Sequence, residues 1–247
     1  MAITSKQKIS REKASELILT QGFSGSYQAG QVTFLLNRIQ IQPTDTLEKE
    51  RLIQSGEKHY SQMISQEQAP TERHLQLFEQ AMQHGQQRLA KEVQQLAQTL
   101  SVEFAEPIVL VSFVRAGVPL GVLLYHALQD MGRDCVHYGI SIIRDRGIDF
   151  AALETIIAKH GHQSLVFVDG WTGKGAIQKE LQRSLANDPR FADRPLPLVV
   201  LSDIGGCAWL AASGEDWLIP SGVLGSTISG LISRSICENE ALQLNEV

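Results

Sequence analysis

The spacing of apolar positions changes character near Glu106. Before it, Leu75, Phe78, Met82, Leu89, Val93, Leu96 and Leu100 recur at steps of three, four or seven. That spacing places them on one face of a long helix and predicts a core-facing stripe. Thr71, just after Pro70, supplies a hydroxyl suited to capping its start. Further upstream, Val32-Thr33-Phe34-Leu35-Leu36 follows the turn-like Phe23-Ser24-Gly25-Ser26 and predicts a short strand. After Glu106, short apolar runs alternate with helical patterns. Pro107 to Phe113 (PIVLVSF) is continuously apolar, as in a strand buried on both faces. A helix over Val118 to Met131 follows, with Pro119 tolerated in its first turn and Gly132 ending it. Val136 to Ile143 predicts a second strand, and Asp149 caps a helix that runs to His160 and stops at Gly161. Leu165 to Val168 predicts a third strand, Gly175 to Asn187 a helix, and Pro197 to Leu201 a fourth strand. Ser226 caps a last helix through Ile236.

This alternation predicts an α/β fold, a largely parallel sheet flanked by helices. The division near Glu106 predicts two parts: a mostly helical N-terminal extension over residues 1–105, packing on an α/β core over residues 106–247. In such sheets ligands bind beyond the carboxyl ends of the strands. Four strand-end loops therefore become the candidates: Arg115-Ala116-Gly117, Arg144-Asp145-Arg146-Gly147, Asp169 to Gly175, and Asp203-Ile204-Gly205-Gly206. Each combines glycine with charge, which on one rim would make an anion-binding cleft.

Composition narrows the classes. The chain has 247 residues and a formal net charge of -5, which argues against broad nucleic-acid binding. Cys135, Cys207 and Cys237 are too dispersed for a disulfide framework or a zinc site, so a reducing compartment is expected. No apolar run reaches the roughly 18 residues of a membrane span. The polar, basic Met1 to Lys13 segment lacks a secretory apolar core, so the cytoplasm is the expected location.

The segment Asp169-Gly170-Trp171-Thr172-Gly173-Lys174-Gly175 is the most informative. It lies between a strand and a helix. Its glycines allow tight turning, so several N–H groups can face one phosphate, with the helix dipole behind them. Thr172 adds a hydroxyl and Lys174 a charge. Asp169 can accept hydrogen bonds from a ribose hydroxyl or reach Mg²⁺. The spacing is neither that of a Walker A loop nor that of a dinucleotide fingerprint.

Val168-Asp169 followed by this loop resembles the ribose-phosphate loop of type I phosphoribosyltransferases. Val111 to Gly117 resembles their pyrophosphate loop. A closer resemblance covers nearly the whole chain. It is carried by Gly25-Ser26-Tyr27, Val32 to Leu36, Ser55-Gly56-Glu57-Lys58-His59-Tyr60, Ser112 to Gly121 (SFVRAGVPLG), Tyr138 to Asp149, Phe167 to Ile177 (FVDGWTGKGAI) and Ser229 to Arg234. On these stretches the chain is similar to the StiP family, phosphoribosyltransferase-like proteins of tellurium-resistance gene clusters. That family also carries the label of cysteine protease.

The resemblance implies transfer of ribose 5-phosphate from phosphoribosyl pyrophosphate to a nitrogen acceptor, with Mg²⁺ as cofactor. Asp169, Arg115, Arg144 and Arg146 would be catalytic, with Asp169 also at the metal. Thr172, Gly173, Lys174, Gly175, Ala116 and Gly117 would hold phosphate. Asp203, Asp216 and Trp217 would hold the acceptor. The loop departs from the type I pattern at Gly170, where a second acid usually stands, leaving one carboxylate for the ribose diol. The expected partner is a small molecule, phosphoribosyl pyrophosphate or a nucleotide, and related folds often form homodimers. Some StiP members continue into an RNA-binding domain of the PELOTA type that this segment does not show, so no direct nucleic-acid binding is expected of it.

Two further readings stand beside ribose transfer. One is a non-catalytic nucleotide-binding module on the same fold. The other is a thiol protease using Cys207 or Cys237, for which no local sequence signature exists. Of the histidines, His59 and His137 draw notice, and His137 in its strand reads as a satisfied, partly buried core residue.

Overall fold

The computed structural model describes residues 22–38, 41–65, 69–192, 194–224, 235–237 and 244–246. The expected sheet is present. Strands β1 (Thr33–Phe34), β3 (Ile108–Phe113), β4 (Cys135–Ile140), β7 (Leu165–Val168), β8 (Leu198–Ser202) and β9 (Leu210–Ser213) form one six-stranded sheet in the order β1-β4-β3-β7-β8-β9. Every pairing in it is parallel. The carboxyl ends of its strands therefore share one edge. A second sheet holds β10 (Ser235–Cys237), β11 (Leu244–Glu246) and β2 (Asn37–Arg38), and a hairpin pairs β5 (Ile142–Ile143) with β6 (Gly147–Ile148).

The strands of the large sheet are buried on both faces, which is why they read as unbroken apolar runs. Along β3, Val109, Val111 and Phe113 face one core, shared with α4 (Phe150–His160) and α5 (Ala176–Leu185). Ile108 and Leu110 face the other, shared with α2 (Glu72–Glu103) and α3 (Gly117–Asp130). Period-two alternation along a strand divides its side chains between two helical layers. The remaining helices are α1 (Thr46–Gln54) and the short α6 (Pro220–Leu224).

Helix caps follow their chemistry. Thr71 Oγ1 accepts the His74 N–H at 3.2 Å and starts α2. Asp149 Oδ1 accepts the Ala152 N–H at 3.0 Å and starts α4. The apolar stripe of α2 is buried over only part of its length. Val93, Leu96 and Leu100 are in the core, whereas Leu75 and Met82 are 42% and 36% exposed. Geometry explains it: 32 helical residues run about 48 Å at 1.5 Å each, far beyond a six-residue strand.

Two sequence expectations change. The second strand is broken at Ser141 into β4 and β5, because the Ser141 carbonyl turns to accept the Asp149 N–H at 2.9 Å. The helix expected from Ser226 lies outside the described residues over 226–234, and residues 235–237 are the strand β10.

A buried polar chain sits within the sheet. His137 Nε2 lies 2.7 Å from Ser112 Oγ, and Nδ1 lies 2.8 Å from the Gln31 carbonyl. Gly121 of α3 closes over the pair: a Cβ there would stand 2.1 Å from Ser112 Oγ and 2.3 Å from His137 Nε2. Burial lowers the imidazole to a pKa of about 4, so it is neutral and joins three segments through its two ring nitrogens.

Candidate active site

The chain leaves β3 toward α3 on one face of the sheet, and leaves the adjacent β7 toward α5 on the other. The loops diverge there and open a crevice at the carboxyl edge, the switch point of a doubly wound sheet. Close approach defines its floor. A Cβ at Gly117 would stand 2.1 Å from the Val168 carbonyl oxygen, so only glycine lets α3 begin against the end of β7. The Val114–Arg115 peptide beside it is cis, and Arg115 is half-buried. Asp169, 8% exposed, accepts the Gly170 N–H at 2.8 Å. Burial raises its carboxyl to a pKa of about 7, against the pull of that hydrogen bond.

The third and fourth loops are tied together. Thr172 Oγ1 donates to Asp203 Oδ1 at 2.8 Å and accepts the Gly205 N–H at 3.0 Å. Asp203 also accepts the N–H groups of Cys207 at 3.0 Å and Ala208 at 2.9 Å. Burial works to raise the Asp203 carboxyl, but those N–H groups and the Thr172 hydroxyl bring it below its ordinary value. The Cys207 sulfur lies over Gly175, where α5 begins, and beside Gly205. Its thiol is raised by burial and then by the Asp203 carboxylate, with Thr172 and Lys179 acting the other way.

The second loop is held by α5. Asp145, in the left-handed region at φ 65°, donates its N–H to Glu180 Oε2 at 2.8 Å. Ile148 N–H donates to Ser184 Oγ at 3.2 Å. Glu180 is buried and also pairs with Arg183. Opposite this loop stands His59, which caps the 3₁₀ turn Tyr60–Gln62. Its Nδ1 lies 2.7 Å from Ser61 Oγ. Burial lowers the His59 imidazole, the charge of Arg146 lowers it further, and Asp145 opposes both. Strand β10, which includes Cys237, packs on the same turn.

The fold thus places Arg115, Ala116, Gly117, Asp169, Thr172, Gly173, Lys174, Gly175, Asp203, Arg144 and Arg146 at one edge of the sheet. Asp216 is exposed and Trp217 turns away from the crevice: its ring packs on Gly85 of α2, and the Arg88 guanidinium carbon stands 4.6 Å from the ring centroid. That packing occupies the indole face expected to stack an acceptor. Ser229 and Arg234 lie outside the described residues. Sequence reasoning missed the approach of His59 to Asp145 and Arg146, although His59 stands in one of the stretches that carry the family resemblance. It also missed the Glu180 and Ser184 hold on the second loop. Among the described residues, no cluster of three His, Cys, Asp or Glu groups suits a metal ion, and no helix is long and apolar enough to cross a membrane.

A family model described as "Tellurite-like stress resistance cysteine protease StiP" matches residues 25–247. A curated relative, "Cysteine protease StiP" of Acinetobacter baylyi (strain ATCC 33305 / BD413 / ADP1), is 83% identical over 239 residues. That alignment covers 97% of this chain and 62% of the relative, so the chain spans about three-fifths of the relative's length. No solved structure matches the chain. These names overturn the expectation of a phosphoribosyltransferase that binds phosphoribosyl pyrophosphate, since both describe a cysteine protease. The expectation failed because it inferred chemistry from a loop and a fold, and one sheet edge hosts many chemistries. The match through residues 25–247 settles membership: the chain belongs to the family of the tellurite-like stress resistance cysteine protease StiP.

Proposed function

We propose that the chain hydrolyses peptide bonds through a thiol, with Cys237 as the nucleophile and His59 as its base. The observation that carries this reading is the packing of β10, the strand holding Cys237, against the turn capped by His59. The names of the family and of the Acinetobacter relative support the class of chemistry. A thiol peptidase needs sulfur and imidazole within proton-transfer reach. The other two thiols are less suited. Cys135 is buried, which raises its thiol, and its sulfur faces the Tyr125 carbonyl at 3.7 Å. Cys207 is acted on by a carboxylate, a hydroxyl and an ammonium group.

In the resting cap His59 Nδ1 accepts the Ser61 N–H at 3.4 Å. The working tautomer gives up that contact, so that Nδ1–H donates to Ser61 Oγ and Nε2 accepts the thiol proton. The thiolate adds to the substrate carbonyl carbon. The C–N bond then breaks as the imidazolium returns its proton to the departing amine. Water, giving its proton to the imidazole, hydrolyses the remaining thioester and restores the thiol. An imidazole held below its ordinary value is a neutral base at neutral pH, as this cycle requires.

Turnover of a fluorogenic peptide library by single-residue variants tests the reading. Cys237→Ala and His59→Ala are expected to lose about a hundredfold or more of kcat/KM, in line with the loss of a nucleophile or its base. Cys207→Ala is expected to stay within about threefold of wild type, less than a catalytic group contributes. Cys207 does have one point in its favour, since its sulfur lies at the start of α5, where the helix dipole favours a thiolate. Loss with Cys207→Ala alone would move the nucleophile there, and unchanged turnover in all three variants would end the proteolytic reading.

A further inference from the structure

Charge is distributed unevenly over this acidic chain. Away from the crevice, most of the described arginines are matched with carboxylates, Arg73 and Arg194 being the exceptions. Arg51 pairs with Glu48 and Glu57, Arg88 with Glu92 and Glu215, Arg133 with Glu106, and Arg190 with Glu154 and Asp188. At the carboxyl edge the pattern changes. Arg144 and Lys174 are exposed and Arg146 is half-buried, and none of the three forms an ion pair among the described residues. Arg144 and Arg146 sit in the turn between β5 and β6, which packs on α5. Lys174 sits in the loop that leads from β7 into the same helix, with Lys179 exposed one turn further along it. The carboxylates of that edge are largely committed. Asp169 is buried, and Asp203 is engaged by Thr172 and two backbone N–H groups. Asp145 is exposed, but the Arg183 charge acts in its vicinity.

The loop bearing the two arginines is also built rather than loose. Glu180 and Ser184 hold its backbone from α5, so the guanidinium groups leave a fixed turn, one loop away from Lys174. Held cations without carboxylate partners, in a chain of net charge -5, mark an edge arranged to receive negative charge. Arg146 is also the cation that acts on His59, so this charge lies beside the proposed reaction centre.

We infer that the substrate is a peptide segment rich in Asp and Glu, seated along the carboxyl edge of the sheet by Arg144, Arg146 and Lys174. This rests on the peptidase reading above and names its substrate class. Guanidinium groups take carboxylates bidentately and Lys174 supplies a point charge, so a run of acidic side chains engages both loops at once.

Fluorescence anisotropy with the full chain tests it, using labelled peptides of equal length that are Asp/Glu-rich, neutral or Lys-rich. Mass spectrometry confirms that each stays intact during the measurement. The acidic peptide is expected to bind at least about tenfold more tightly than the neutral one, and to weaken as salt is raised. The double variant Arg144→Glu, Lys174→Glu is expected to lose about tenfold or more of that affinity, as charge reversal against carboxylates does. Lys91→Gln, at an exposed position of α2, is expected to change nothing. Circular dichroism of the double variant separates lost binding from lost fold, and the milder Arg144→Lys is expected to keep most of the affinity. Equal binding of all three peptides overturns the inference. So does undiminished binding by a folded double variant, or a response to inorganic phosphate with none to any peptide. Binding is read without cleavage. An inert chain that still selects the acidic peptide counts against the thiol chemistry and for the acidic ligand. An active chain that binds all three alike does the reverse.

Discussion

Two histidines of this chain sit in opposite surroundings. His137, inside the sheet, lies 2.7 Å from a serine hydroxyl, the separation of a nucleophile and its base. Yet both residues are buried, both ring nitrogens have partners, and Gly121 brings α3 down on them. His59, at the carboxyl edge, has one nitrogen near Ser61, a half-exposed ring, an arginine and an aspartate nearby, and a cysteine-bearing strand packed on its turn. The difference teaches that hydrogen-bond distance alone does not make a catalytic pair. Access and an unengaged nitrogen are also needed, and both are missing around His137 in the core.

The strongest way to break this comparison is to remove each imidazole in turn. His59→Ala is expected to lose about a hundredfold or more of peptide turnover, with only the modest loss of stability, about 1 kcal/mol, that removing its cap on the 3₁₀ turn costs. His137→Ala is expected to do the opposite. It leaves the Gln31 carbonyl and Ser112 without their partner and opens a void, costing about 2–4 kcal/mol in denaturant titrations, while turnover of the folded fraction stays close to wild type. Next comes Gly121→Val, which forces a side chain into the space of Ser112 and His137. A loss of about 3 kcal/mol or more is expected, seen as a lowered midpoint in urea.

Titration sharpens the contrast further. His137 has a folded pKa of about 4, below the ordinary 6.5, so the unfolded chain binds the extra proton between those values. Its contribution to stability is present above about 6.5 and lost as pH falls toward 4. Asp169 runs the other way. Its folded pKa of about 7 lies above the ordinary 3.8, so the folded chain holds the extra proton, and stability is lost as pH rises through 7. Asp169→Asn is therefore expected to stabilise the fold by about 1 kcal/mol or more at pH 8 and hardly at all at pH 4, measured by thermal melts. The smallest effect belongs to Asp145→Asn. It removes a charge that raises the His59 imidazole, so the acid limb of turnover is expected to move to lower pH.

Much of the fold was legible in the sequence because its signals are local. The runs of β3 and β7 need only burial on both faces, and Pro119 and Gly132 bracket α3 by backbone chemistry alone. Other elements carried weaker signals. The strand β9 is LAAS, too small and short to stand out, and the break at Ser141 depends on a partner at Asp149. The strand ends near Arg144, Asp169 and Asp203 were readable as an edge, since alternation of strand and helix implies parallel strands. Which groups meet there was not. His59 approaches Asp145 and Arg146 from far away in sequence, and Cys237 arrives on a strand of a different sheet. No periodicity encodes such meetings. The phosphate-like loop was conspicuous for the opposite reason, that all its parts are contiguous, and its visibility drew the functional expectation toward ribose transfer and away from sulfur.

The most direct measurement is covalent capture. A peptide carrying an acyloxymethyl ketone, which alkylates only an activated thiol in a peptide-binding site, is incubated with the native chain, and the adduct is mapped by digestion and mass spectrometry. The account predicts modification of Cys237, abolished by His59→Ala and slowed by excess acidic peptide. Modification of Cys207 with Cys237 untouched, or no adduct on a folded chain, would contradict it.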